Sequence, residues 1–286
     1  MHSGQRSVAS NASFGLRFAG FHNIMATVGH LAAAHGLNTS GNTLVWSGGS
    51  AGGVGVFTTV DHVADVLPVV RVVGAPVAGL PPDVEWAVDA HVKGAAPPSE
   101  DVHTAAFPRI NALWDAFLPT RCVAARGHSA RDACGVPHVG YAYVATPLFV
   151  MQSLTDIVIL CGFEGVPAKV SALLHPSVAR YIEDYAHNAT ALLTTTVEKS
   201  ARDGLFAPSC LMHTGFTLDG PLIGGVHAVE ALSKWVHGAN ASGGVHARTR
   251  GRSSTANDTQ YHRIDSCAHG RYFPPCGAHC PPLPSL

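Results

Sequence analysis

The chain has 286 residues, 47% of them hydrophobic, which is enough for one large domain with its own core and excludes a disordered segment. A formal net charge of −1 with no basic block excludes the electrostatic footprint of a nucleic-acid or anionic-surface binder. The longest apolar stretches are cut by Arg71 and Asp156, so none reaches the roughly 18 residues of a membrane span.

At the start, Met1-His2-Ser3-Gly4-Gln5-Arg6 carries no apolar run of signal-peptide length. Residues 21–37 place Ile24, Val28, Leu31 and Leu37 at helical spacing, with Gly36 as terminator. After the turn residues 38–42, Thr43-Leu44-Val45-Trp46 reads as a buried parallel strand, and residues 54–67 read as a helix that stops at Pro68. Between them stands Gly48-Gly49-Ser50-Ala51-Gly52, a G-x-S-x-G nucleophile elbow in the strand-to-helix context that motif needs. An elbow serine sits on a tight strained turn, so its neighbours must be small, and here they are; the N–H of Ala51 would then face an oxyanion. Phosphate binding fits poorly: no register of residues 48–55 gives the dinucleotide glycine spacing, and Val54 stands where a Walker loop needs lysine.

Residues 69–73 read as the next strand, 111–117 as a helix ended by Pro119, 147–152 as a buried strand and 176–193 as a helix. Strands alternating with helices predict a mostly parallel sheet with helices on both faces. Asp156 follows the strand 147–152 after a short loop, where a hydrolase places its acid; an ordinary helix N-cap is the competing role. Of the eighteen histidines, His175, His187, His213 and His227 all follow Asp156, and order alone does not choose among them. From about residue 238 the composition turns to Gly, Ser, His, Arg and Pro, so residues 1–237 are expected to form the catalytic domain and 238–286 a loop-rich, cysteine-containing extension of it.

Seven cysteines and five Asn-X-Ser/Thr sequons (Asn11, Asn38, Asn188, Asn240, Asn257) favour an oxidising, secretory setting. Cys122 and Cys134, close in sequence, are expected to pair, and Cys267, Cys276 and Cys280 crowd a Pro-rich tail. His269 and His279 lie among those last cysteines, but no Cys-x2-Cys knuckle is present, so neither a metal nor a cofactor is expected. Cys210 is placed to tether the His213 loop, with Cys161 as one candidate partner, and the pairing among Cys161, Cys210, Cys267, Cys276 and Cys280 stays open.

The block Ser47-Gly48-Gly49-Ser50-Ala51-Gly52-Gly53, the segment 149–156 ending in Asp156, and the segment 205–213 ending in His213 resemble the pectin acetylesterase/Notum family of serine esterases. Phe18-Ala19-Gly20, Trp114 with Pro119 and Cys122, and Ile264-Asp265-Ser266-Cys267 add weaker matches, and the Notum branch looks closest. The resemblance implies an α/β-hydrolase fold and a Ser50–Asp156–His213 triad, which selects His213 among its rivals. It also implies that the family's N-terminal strands and second oxyanion donor would lie upstream of Met1, and that Gly79-Leu80-Pro81-Pro82-Asp83 replaces aromatic residues on the acyl-pocket wall. The expected activity is hydrolysis of O-acetyl esters on a carbohydrate such as pectin, by a secreted monomer. The alternatives are a Notum-like palmitoleoyl-protein carboxylesterase, or a weakly active or inactive binding protein on the same scaffold.

Overall fold

The computed structural model describes residues 2–82, 95–97, 106–241, 261–267, 270–274 and 280. Asp83, Asn257, His269, Cys276 and His279 lie outside the described residues. The chain divides into two compact units, the first Met1–Leu80 with Asp101–Pro147, the second Pro81–Glu100 with Leu148–Leu286.

In the first unit, helix α1 (Gly20–His35) ends at Gly36, whose left-handed backbone (φ 65°) returns its N–H to Leu31 O. The Asn42 amide donates to Gly36 O and Leu37 O, and this turn delivers the chain to strand β1 (Thr43–Gly49). Helix α2 (Ala51–Val66) crosses over to strand β2 (Arg71–Val77), which pairs parallel with β1 from Thr43↔Arg71 to Gly49↔Val77. Val56, Phe57, Val60 and Val63 bury the inner face of α2, and Trp46 Nε1 donates to Thr59 Oγ1 across the strand–helix junction. The predicted strand 43–46 therefore extends through the glycines to Gly49, because ladder pairing with β2 outweighs their low strand propensity.

Helix α3 (Phe107–Trp114) lies four residues earlier at its start than the expected 111–117. Asp115 adopts φ 50° and ends it, after which Ala116 bridges Gly4 and Phe117 N donates to Ser3 O. The apolar run 116–118 is thus core-facing extended chain rather than helix. Helices α4 (Thr120–Arg126) and α5 (Pro137–Gly140) flank a 3-10 segment His128–Gly135. A disulfide joins the buried Cys122 and Cys134 over a separation of 12 residues, against Ala116 and Leu118. Replacing both cysteines with serine is expected to lower stability by about 3 kcal/mol from lost loop closure. Urea unfolding followed by far-UV circular dichroism checks this, and unchanged midpoints would contradict it.

The second unit runs through β3 (Phe149–Met151), β4 (Thr155–Asp156), α6 (Ile157–Gly162), α7 (Val170–Leu173), α8 (Pro176–Thr196), β5 (Gly204–Ala207) and β6 (Leu211–Met212). It ends with the hairpin β7 (Leu222–Ile223) and β8 (Val226–His227), then α9 (Ala228–Ala241) and β9 (His262–Ile264). Strand β5 pairs parallel with β3 on one side and β9 on the other. The C-terminal region, expected as loop, therefore returns a strand: His262 Nε2 meets Asp203 O, and Asp265 N donates to Ala207 O. Phe149, Phe206 and Trp235 form the centre of this core, with the Trp235 indole donating to Arg202 O. Among the described residues no helix is long and apolar enough to cross a membrane.

Candidate active site

Ser50 occupies the single residue between β1 and α2, with φ 57° and ψ −124°, a backbone conformation L side chains rarely adopt. The turn is held by Ser50 N donating to Val77 O at 2.9 Å and Val54 N to Ser50 O at 3.2 Å. A Cβ on Gly48 would stand 2.5 Å from Gly52 O, and one on Gly53 2.5 Å from Val77 O, so the close approach of strand, turn and helix requires both glycines. Ala51 opens α2, where the first backbone amides have no intrahelical acceptor.

In the second unit the structure brings Asp156 and His213 together. His213 Nδ1 lies 2.9 Å from Asp156 Oδ1 and 2.8 Å from Oδ2. A carboxylate only accepts, so Nδ1 is the donor in this pair, and in the neutral imidazole the lone pair then falls on Nε2. Nε2 is buried and has no hydrogen-bond partner among the described residues. Asp156 is at once the N-cap of α6 and the partner of His213, because one oxygen serves Val158 N and Ile159 N while both reach the imidazole.

The two segments that carry this pair are laced together. Leu154 N donates to Pro208 O, the Ser153 hydroxyl to Cys210 O and the Thr155 hydroxyl to Ser209 O; β4 and β6 then pair Asp156 with Met212. Ser209 N donates to Asp265 Oδ2, which ties the histidine segment to the end of β9. Behind the acid, helix α8 supplies Tyr185, whose fully buried hydroxyl has no partner among the described residues. Burial, reinforced by the Asp156 and Glu164 carboxylates, pushes that hydroxyl well above the usual tyrosine range, so it stays neutral. Gln152, Ser153 and Thr155 lie in the segment 149–156 that carries the family resemblance, but nothing in the sequence assigned them a role, and Tyr185 belongs to no motif.

Cys210 is tethered as expected of its position, but its partner is Cys280, not Cys161. Cys161 is a free thiol on α6, and Cys267 is disulfide-bonded. Burial raises the Cys161 thiol to about 11, which leaves little reactive thiolate at pH 8. Iodoacetamide is therefore expected to label Cys161 about a hundredfold more slowly in the native protein than after denaturation. Mass spectrometry of timed aliquots measures this, and equal rates would contradict it. Asn11 and Asn38 are exposed, whereas Asn188 sits in α8 with its amide donating to Asp184 O; Asn240 lies in the last turn of α9. Among the described residues no cluster of His, Cys, Asp and Glu could hold a metal ion.

The chain spans about half the length of the curated relatives it matches. The palmitoleoyl-protein carboxylesterase notum1 of Xenopus laevis is 26% identical over 254 residues, covering 84% of this chain and 46% of that protein. Its notum2 counterpart is 25% identical over 249 residues, covering 84% and 47%. The solved structure of the Wnt deacylase Notum from Drosophila superposes with a TM-score of 0.74 at 23% identity, covering 98% of this chain and 71% of that one. The fold is accordingly α/β-hydrolase-like, with its mostly parallel sheet and flanking helices. The sequence pattern described as Pectinacetylesterase matches residues 1–280, and the chain belongs to that family.

Proposed function

We propose that the protein is a serine carboxylic-ester hydrolase in which Ser50 is the nucleophile, His213 the base and Asp156 the acid that orients it. The observation that carries this reading is the Asp156–His213 pair, in which Nδ1 faces the carboxylate and the buried Nε2 has no hydrogen-bond partner among the described residues. The strained elbow at Ser50 and the chain order Ser, Asp, His support it. His213 Nε2 takes the Ser50 hydroxyl proton as Oγ attacks the ester carbonyl, and the Ala51 N–H stabilises the oxyanion. Collapse expels the alcohol, which receives the proton from His213; water then repeats the sequence on the acyl-enzyme and releases the carboxylic acid. A fluorophosphonate probe should label Ser50 in wild-type protein and not in His213→Ala, as located by peptide mapping. An unlabelled Ser50 would favour a binding protein on this scaffold.

The substrate class we favour is short-chain esters, such as O-acetyl groups on a carbohydrate like pectin. Leu80 is fully buried in packing, and the prolines at 81 and 82 restrict the backbone where the family resemblance implies a pocket wall. The second reading is a protein-linked palmitoleoyl ester, favoured by the names of the matched relatives. Comparing kcat/KM for p-nitrophenyl acetate and octanoate decides between them. Acetate is expected to be the better substrate, whereas an acyl tunnel would add about 0.8 kcal/mol per buried methylene and reverse the order. The disulfides fit an oxidising compartment, so we further propose that the protein is secreted, with Asn11 and Asn38 as accessible glycosylation sites.

A further inference from the structure

The backbone amides that cap α6 reach only one of the two Asp156 carboxylate oxygens. Val158 N at 3.1 Å and Ile159 N at 3.2 Å both donate to Oδ1, so the cap leaves Oδ2 to other donors. Oδ2, 2.8 Å from His213 Nδ1, also receives a hydrogen bond from a side chain four residues earlier, Gln152 Nε2 at 3.2 Å. The same Nε2 points at Ser153 O at 3.4 Å. Both neighbours are acceptors, so the NH2 end and not the carbonyl end of the amide must face them. Gln152 is 1% exposed and Asp156 fully buried, so water does not compete for this contact. Gln152 is itself anchored, since it follows β3 directly and its backbone N–H donates to Phe206 O on β5 at 3.1 Å. A donor anchored by backbone at the end of a sheet strand is the kind of support that holds a reacting group in place.

We infer that Gln152 is a positioning residue: its amide fixes the plane of the Asp156 carboxylate, and through it the orientation of the His213 imidazole. This rests on the triad proposed above. Glutamate at 152 would set a second carboxylate against the first, and an apolar side chain would leave Oδ2 to the histidine alone.

The test uses the whole protein, with 15N-labelled histidine to observe the His213 Nδ1–H proton by NMR and steady-state kinetics on p-nitrophenyl acetate. Q152M, nearly isosteric but without a donor, is expected to lower kcat about tenfold, in the range of one hydrogen bond to a charged group, with KM within about twofold. The Nδ1–H resonance should shift and exchange faster with water. Q152N keeps an amide but is one methylene short, and it should behave like Q152M, which keeps the test open if Q152M does not fold. D156N, the control, should lose the resonance. A resonance unmoved in Q152M and Q152N but lost in D156N overturns the role of Gln152 and leaves the triad standing. A resonance that moves in both variants in a protein without turnover upholds the hydrogen-bond role and sinks the esterase reading instead.

Discussion

Ser50→Ala is expected to lower kcat on p-nitrophenyl acetate by a factor on the order of 10^4 to 10^6, because a triad acts as a unit and no member substitutes for the nucleophile. His213→Ala should cost about as much, and Asp156→Asn somewhat less, acting through the wrong imidazole tautomer. The fold should survive Ser50→Ala, since the Ser50 side chain makes no capping hydrogen bond and its turn is held by backbone bonds to Val77 and Val54. Ser50→Gly separates the two roles of the position. It removes the hydroxyl too, yet relieves a backbone strain of about 1–3 kcal/mol that alanine retains at φ 57°. The glycine variant is therefore expected to be equally inactive but more stable than the alanine variant in urea. Full turnover in Ser50→Ala or His213→Ala would remove the proposed mechanism.

What the sequence revealed and what it hid divide along the range of the interactions involved. The helix before β1, its Gly36 stop and the glycine-lined turn at Ser50 rest on local chemistry within a few residues, and local chemistry is what periodicity and turn composition report. Strand β9 was hidden because a three-residue strand acquires its identity only from β5, some 57 residues earlier by the pairing Leu205↔His262. The end of α3 was hidden for a related reason: Asp115 takes a left-handed conformation so that Ala116 can meet Gly4 at the far end of the chain. Asp156 shows a different limit. N-cap and histidine partner looked like rival readings, yet a carboxylate with two oxygens and several lone pairs does both. The partner of Cys210 lay beyond reach because spacing does not determine connectivity.

That long-range disulfide carries the largest expected effect on stability. Cys210 and Cys280 close a separation of 70 residues, and removing the link in Cys210→Ser/Cys280→Ser should cost about 4 kcal/mol through the entropy returned to the unfolded chain. Using both serines avoids leaving a thiol that could capture the free Cys161. Cys210 stands three residues before His213, yet the contacts around it argue against an equally large loss of activity. Pro208, Ser209 and Cys210 each accept a hydrogen bond from the 153–155 segment, and Ser209 N donates to Asp265. At roughly 1 kcal/mol apiece these bonds together match the lost link, and in the folded state they keep acting after it is gone. The double variant is thus expected to unfold at a much lower urea concentration while keeping kcat within about threefold of wild type under native conditions, a distinction between unfolded-state and native-state effects. A loss of kcat as large as that of His213→Ala, with the unfolding midpoint unchanged, would mean that the disulfide acts on the geometry of the histidine and not on the unfolded chain.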